Sequence, residues 1–128
     1  MTLDRTSPFW QSVDARAMAL PRCGDCGRFH FYPRPVCPEC WSDDLAWQPV
    51  GGRGAVWSYT VVRFAHGAHE GWKTRIPYVV ALIELEEGVR MMGNVIDCPV
   101  DSVRAGMAVE LAYREYEDGL IPVFLPAG

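Results

Sequence analysis

Four of the five cysteines in this 128-residue chain fall in two pairs of identical spacing. The pairs are Cys23-x2-Cys26 and Cys37-x2-Cys40. A Cys-x2-Cys turn brings both sulfurs to one side of a tight loop, so two such turns facing each other supply four thiolates at the corners of a tetrahedron. Zn²⁺ accepts this geometry. The spacing therefore predicts a zinc site with all four cysteines as ligands.

Two other chemistries use the same four thiols. A rubredoxin-like iron centre takes four thiolates from two similar turns, and the sequence does not separate iron from zinc. A pair of disulfides would require an oxidising compartment, to which no N-terminal signal directs the chain. With four thiolates the metal has no open position for water, so we expect a structural metal and not a catalytic one.

Three segments are predicted to position this site. In residues 1–20, Ser7 and Pro8 form an N-cap and first-turn pair, and apolar spacing predicts a helix over residues 8–19. Residues 21–48 form the zinc ribbon, with an aromatic, β-prone hairpin over residues 28–34 between the cysteine pairs. Residues 49–128 hold five runs rich in β-branched and aromatic residues, namely 55–64, 78–85, 89–96, 108–116 and 120–125.

The strand runs predict a mainly β protein with a five-stranded OB-fold barrel. Glu86-Glu87-Gly88 and Glu117-Asp118-Gly119 are hairpin signals between the second and third and between the fourth and fifth strands. Closure into a barrel removes the edges that an open five-stranded sheet would expose.

The motifs together resemble the zinc-ribbon/OB-fold family associated with acyl-CoA enzymes, long known as a domain of unknown function. The resemblance covers nearly the whole chain, although Leu125 stands where the family commonly has a basic or polar residue. It is carried by Phe9-Trp10, by both cysteine turns with their flanking residues, and by the segments 54–62, 77–85, 106–111 and 121–126.

The resemblance implies an accessory subunit without catalysis of its own, bound to a thiolase-like enzyme, a hydratase or a retro-aldolase acting on CoA thioesters. The residues agree with this, because the sequence offers no nucleophile and base pair. Lys73 is the lone lysine, and Cys98 is most simply a small, half-buried apolar residue.

The connection between the first two barrel strands is the predicted ligand region. Trp72 is suited to stack on an adenine ring, while Lys73, Arg75 and Arg63 are suited to meet phosphates, which indicates contact with coenzyme A. A solvated loop is the alternative interpretation. His66 and His69 form a poor second metal site, because only Glu70 is close enough in sequence to join them.

The chain has five each of Trp, Tyr and Phe, more than a small barrel and ribbon are expected to bury. Aromatic side chains commonly anchor protein interfaces. The predicted partner surface consists of the aromatic residues of the helix and ribbon, where little core is expected: Phe9, Trp10, Phe29, Phe31, Tyr32 and Trp41. For Phe9 and Trp10 the alternative is that the helix covers the ribbon or the core.

Charge separates this hypothesis from its main alternative. Zinc ribbons and OB barrels also bind single-stranded nucleic acid, but a formal charge of -4 has the wrong sign for a protein that neutralises phosphates. No apolar run approaches the roughly 20 residues that span a bilayer. The sequence therefore predicts a soluble cytoplasmic protein with neither membrane nor nucleic acid as its main partner.

Overall fold

The computed structural model describes residues 5–64, 75–117 and 119–127. One short helix is followed by a two-stranded sheet and then by a closed five-stranded barrel. None of the described helices is long and apolar enough to cross a membrane. The elements are α1 (Pro8–Asp14), β1 (Ala19–Cys23), β2 (Leu45–Pro49), β3 (Arg53–Val62), β4 (Tyr78–Leu85), β5 (Arg90–Val95), a 3₁₀ helix (Val100–Ser102), β6 (Ala108–Tyr116) and β7 (Gly119–Pro126).

The barrel confirms the OB-fold prediction, because its strands follow the order β3-β4-β5-β7-β6 and close on themselves. Closure uses few residues: β3 pairs with β6 over Arg53–Ala55, and β5 pairs in parallel with β7 at Val95 and Phe124. Each predicted strand run overlaps one observed strand. The β4–β5 hairpin also turns where expected, with Gly88 at φ 88°.

Helix α1 begins where predicted but ends five residues early. The Ser7 side chain caps it by accepting a hydrogen bond from the Trp10 backbone N–H, and Pro8 follows in the first turn. Arg16 then takes a left-handed φ of 56°, which turns the chain toward β1. Met18 and Leu20 become fully buried as a result, so long-range burial overrides the helical spacing.

The ribbon hairpin also differs from the prediction. Its strands are β1 and β2, paired antiparallel from Ala19↔Pro49 to Cys23↔Leu45. Residues 28–34 form no strand and make only one isolated bridge, between Phe29 and Arg22. One edge of β1 pairs with β2, and its other edge is bonded to this segment through the Cys23 N–H to the Arg28 carbonyl and the His30 N–H to the Pro21 carbonyl. Phe29 and Phe31 pack against the core, whereas Tyr32 is exposed.

A single hydrophobic core joins the helix, the ribbon and the barrel. Val13, Met18 and Leu20 belong to the same buried cluster as barrel residues such as Ile83 and Phe124. The Met18 backbone N–H also donates to the Tyr113 hydroxyl on β6 at 2.9 Å. The cysteine turns are thereby held on the outside of a continuous core.

Candidate metal centre and its surroundings

The two cysteine turns are built alike. The backbone N–H of Cys23 donates to the Arg28 carbonyl at 2.9 Å, and that of Gly27 to the Cys23 carbonyl at 2.9 Å. In the second turn, the N–H of Cys37 donates to the Ser42 carbonyl at 2.8 Å, and that of Trp41 to the Cys37 carbonyl at 2.9 Å. The two turns therefore have the same pattern of backbone hydrogen bonds, and each presents its two sulfurs from that pattern.

The four thiols meet at one point. Their Sγ atoms lie within 4.8 Å of one another, with 3.5 Å between Cys23 and Cys40 and 3.7 Å between Cys26 and Cys37. Sulfurs bound about 2.3 Å from one tetrahedral ion lie about 3.8 Å apart, so the donor set fits zinc. Cys23 and Cys37 are buried, whereas Cys26 and Cys40 are exposed at the tip.

The crowding shifts the acidity of the thiols in opposite directions. The Cys26 backbone N–H donates to Cys23 Sγ and, against the effect of burial, lowers the pKa of Cys23 to about 7. A hydrogen bond from the Ser42 backbone lowers the pKa of the Cys40 thiol. The contacts of Cys40 with the other thiols, chiefly with Cys23, and its burial outweigh this effect and together raise its pKa to about 12. Four clustered thiolates repel one another, and a bound divalent cation compensates this repulsion.

The positions after each turn have the same backbone but different residues. Gly27 and Trp41 both adopt a left-handed φ, 76° and 67° respectively. Glycine takes this conformation freely, but a bulky side chain does so at a cost of about 1–2 kcal/mol. The Trp41 indole is nevertheless 79% exposed. Because the indole is so exposed, packing of this side chain within the described structure does not offset the strain of the Trp41 backbone.

The predicted interface residues divide into two groups. Tyr32 and Trp41 are exposed, with 61% and 79% of their surface accessible. The expectation that the helix and ribbon offer little core is wrong for the other four, which are partly buried and pack against the main core: Phe9, Trp10, Phe29 and Phe31. Large exposed apolar residues that the sequence patterns did not indicate are Trp57 on β3, Met92 on β5 and Phe64 just after β3.

The predicted CoA residues are only partly within the described structure. Trp72 and Lys73 lie outside the described residues, as do His66 and His69. Arg63, which directly follows β3, pairs with the Asp101 carboxylate at 3.4 Å. Arg75 lies over the Tyr116 ring, with its guanidinium carbon 3.9 Å from the ring centroid. Cys98 is half-buried against the core, as expected for a small apolar residue.

His30 is the buried polar residue of the described structure, with 7% of its surface exposed. Neither ring nitrogen has a hydrogen-bond partner among the described residues. Burial lowers the pKa of His30 below its usual 6.5, and the positive charge of Arg34 lowers it further. The folded ribbon therefore resists protonation of this imidazole.

This shift predicts a pH-dependent stability. As the pH falls below about 6.5, the unfolded chain binds a proton that the folded chain does not, so the free energy of unfolding decreases. We expect His30→Gln to reduce that decrease between about pH 7.5 and pH 5.5. Urea unfolding at both values measures it, with metal content checked at each. Equal pH dependence in the two proteins would contradict this role for His30.

A tetrathiolate ribbon on an OB barrel defines the class of protein, and comparisons with known proteins supply the family. Residues 18–46 match the family model described as "ChsH2, rubredoxin-like zinc ribbon domain". Residues 47–114 match "ChsH2, C-terminal OB-fold domain". The chain belongs to this ChsH2-like DUF35 family of zinc-ribbon/OB-fold proteins, and the centre is a structural zinc site of the rubredoxin-like type.

Three relatives indicate what such proteins do elsewhere. A DUF35 domain-containing scaffold protein of Methanocaldococcus jannaschii is 37% identical over 113 residues, covering 86% of this chain and 78% of the relative. A benzoylsuccinyl-CoA thiolase subunit, BbsA, of Thauera aromatica is 33% identical over 113 residues, 84% and 74% of the two chains. A probable enoyl-CoA hydratase alpha subunit of Thermomonospora curvata is 36% identical over 127 residues. That match covers 98% of this chain but only 39% of the hydratase subunit.

A solved structure has the same fold. One chain of the structure described as "Ltp2-ChsH2(DUF35) aldolase" superposes with a TM-score of 0.82 at 34% sequence identity. The match covers 94% of this chain and 92% of that one. The likeness therefore extends over the helix, the ribbon and the barrel together.

Proposed function

We propose that this chain is a non-catalytic accessory subunit that binds and supports an acyl-CoA-processing enzyme. The observation that carries the proposal is the extent of the likeness: the chain covers 78% of a scaffold protein and 74% of a thiolase subunit. Both names denote proteins that work with others. The partner is a thiolase-like enzyme, a hydratase or an aldolase.

Within this function the metal has a structural task. We propose Cys23, Cys26, Cys37 and Cys40 as its four ligands, supported by sulfurs that already lie at near-tetrahedral spacing. A closed tetrathiolate has no position for substrate, so it shapes the ribbon and takes no part in chemistry. Cysteine pairs that bind metal instead of forming disulfides are typical of a reducing compartment, which supports a cytoplasmic location.

The same proposal includes help in holding the CoA thioester. Arg63 and Arg75 flank residues 65–74, in which the remaining two predicted contacts, Trp72 and Lys73, lie. Arg63 already pairs with the Asp101 carboxylate, so we expect that pairing to reduce its contribution to binding of a phosphate. The acyl group itself is handled by the partner enzyme.

Trp41 is the proposed anchor for that partner. Its strained backbone and its exposed indole are two independent observations, and both favour a contact made outside this chain. Trp and Tyr side chains carry a large share of the binding energy at interfaces, about 2 kcal/mol or more each when truncated. Tyr32 is the second exposed aromatic residue of the ribbon.

Trp41→Gly therefore predicts opposite changes in stability and in binding. Glycine accepts the left-handed φ, so the free energy of unfolding should rise or stay equal. Binding to the partner should weaken at least tenfold, because the indole is lost. The measurements are urea unfolding of the purified variant and its co-purification with the thiolase-like, hydratase or aldolase subunit co-expressed from the same organism.

Trp57→Gly on the barrel is not a suitable control, because Trp57 lies in a strand. The matched control is Gly27→Ala. It strains the backbone at the position of the first cysteine turn that corresponds to Trp41, and it removes no aromatic ring. Gly27→Ala should lower stability and leave binding unchanged. The proposal of an accessory subunit is wrong if none of the three enzyme classes co-purifies with the native chain. It is also wrong if the isolated chain itself turns over CoA thioesters and a point mutation abolishes the activity.

A further inference from the structure

The second half of β3 is an edge strand. Arg53–Ala55 pair with β6, and the Val56 N–H still donates to the Met107 carbonyl at 2.9 Å while the Val56 carbonyl accepts from the Gly106 N–H at 2.7 Å. Within the part of the chain that the structure describes, residues 58–62 pair with β4 alone. The other edge of this stretch therefore carries backbone groups that no described strand meets.

The register identifies these groups. Because Val56 directs both its N–H and its carbonyl toward the β6 side, its pair with Ile83 on β4 is not hydrogen-bonded. Pairs in an antiparallel ladder alternate between hydrogen-bonded and non-hydrogen-bonded. Counted along β4, which the bulge at Trp57 does not interrupt, Tyr59 and Val61 also fall at non-hydrogen-bonded positions. Each of them therefore directs its N–H and its carbonyl to the free edge.

This edge has little protection against pairing. Natural edge strands usually carry charges, prolines or bulges that keep other strands away. Residues 58–62 are Ser-Tyr-Thr-Val-Val, without a charge or a proline, and the bulge at Trp57 lies before them. Trp57 and Tyr59 are exposed, as is Phe64 just after the strand. Such a stretch favours the addition of another strand.

The stretch is complementary to a second copy of itself. In an antiparallel pair with a two-fold axis at Thr60, Tyr59 of each copy lies opposite Val61 of the other. Those two residues carry the free backbone groups, so four hydrogen bonds between the copies satisfy all of them. The Tyr59 ring then faces a β-branched side chain, which is a favourable cross-strand pair. Arg63 falls opposite Trp57, so no like charges meet.

From this arrangement we propose that the chain forms a two-fold dimer in which the β3 edges of two copies pair across Thr60. The pairing joins two barrels through one continuous sheet. Only residues 58–62 of each copy take part, and interfaces below about 1,200 Å² are typical of weak, reversible complexes. We therefore expect monomers and dimers in an equilibrium that depends on concentration. The proposal goes beyond the accessory role and does not depend on it, because Trp41 takes no part in this pairing.

Light scattering on the zinc-loaded chain at increasing concentrations tests the dimer. The measured mass should rise from the 14.3 kDa of one chain toward twice that value. Thr60→Lys should keep the mass at one chain, because the axis would place two like charges directly opposite each other. Thr60→Glu should do the same, and an equimolar mixture of the two variants should recover the dimer. Thr60→Gln is the matched uncharged control and should associate as the native chain does.

Cysteine substitution tests the register. The Cα atoms of residues paired at the axis lie about 4.5–5.5 Å apart, a distance that a disulfide spans. Thr60→Cys should therefore form a linked dimer under mild oxidation. Ser58→Cys, on the same face of β3, is the matched control, because its two copies would lie roughly 13 Å apart along the paired strands. The unmodified chain measures any linkage through its own cysteines. Equal linkage through Ser58→Cys and Thr60→Cys would contradict the register.

Three results would overturn the proposal. The first is a native mass that stays at one chain at every concentration, whether the edge remains free or accepts a strand of the acyl-CoA enzyme. The second is a Thr60→Lys variant that associates as strongly as the native chain, because the contact then lies elsewhere. The third is a mixture of Thr60→Lys and Thr60→Glu that stays monomeric. None of these results affects the accessory role, which co-purification with the enzyme tests separately.

Discussion

The Cys37→Ser variant is expected to lose its metal and the fold of its ribbon. Structural zinc contributes about 10–16 kcal/mol of apparent binding energy in small zinc modules, which is more than a ribbon of this size gains from its own packing. Cys37 is buried at the base of the second turn, where the Glu39 backbone N–H also donates to its sulfur at 3.4 Å. A serine hydroxyl replaces that thiolate poorly.

Metal analysis of the purified variant, with zinc and iron measured together, tests this expectation. The native chain should carry one zinc ion and no iron. Limited proteolysis should cut Cys37→Ser between β1 and β2 while the barrel survives. Cys98→Ser is the matched control and should keep the full metal content. Full occupancy in Cys37→Ser would contradict the ligand assignment.

The second large effect concerns the barrel. Phe124→Ala should lower the free energy of unfolding by about 3–5 kcal/mol, because Phe124 is fully buried in the centre of the core and nothing small refills its space. Its backbone also closes the barrel: the Phe124 carbonyl accepts from the Ile96 N–H at 3.0 Å. Urea unfolding monitored by Trp fluorescence measures the loss.

A coupled variant tests the geometry of that packing. A Cβ atom added at Gly93 would lie 2.8 Å from Cε2 of Phe124, too close for either group to remain in place. Gly93→Ala should therefore destabilise the native protein, and Phe124→Leu should make the same change less costly. The difference between the cost of Gly93→Ala in the native protein and its cost in the Phe124→Leu variant is the interaction energy of a double-mutant cycle. Additive effects would show that Phe124 does not pack on Gly93.

Local patterns predicted most of the architecture. The cysteine turns, the Ser7–Pro8 helix start and the β4–β5 hairpin each depend on a few adjacent residues, and each was found as predicted. The strands of the barrel follow from runs of β-branched and aromatic residues with alternating burial, such as β4. Short-range chemistry of this kind needs no knowledge of the remaining chain.

The errors arose where distant residues compete. Helical spacing continues to residue 19, but burial of Met18 and Leu20 in the common core ends α1 at Asp14. The aromatic residues of the helix and ribbon were expected to lack a core, yet Phe9, Phe29 and others pack against the barrel's own cluster. The exposure of an aromatic side chain depends on all of its neighbours in the folded protein, and composition does not specify those neighbours.

The sequence by itself determined the four-thiolate metal site, the mainly β fold with its barrel strands and the resemblance to the family, because thiolate spacing and strand patterns are local properties of the chain. Only the tertiary structure decided which aromatic residues are exposed, and it showed that Trp41 repeats the left-handed backbone of Gly27. It also brought Arg75 onto Tyr116 beside Asn94. Those residues lie on different strands and connections, and only closure of the barrel makes them neighbours.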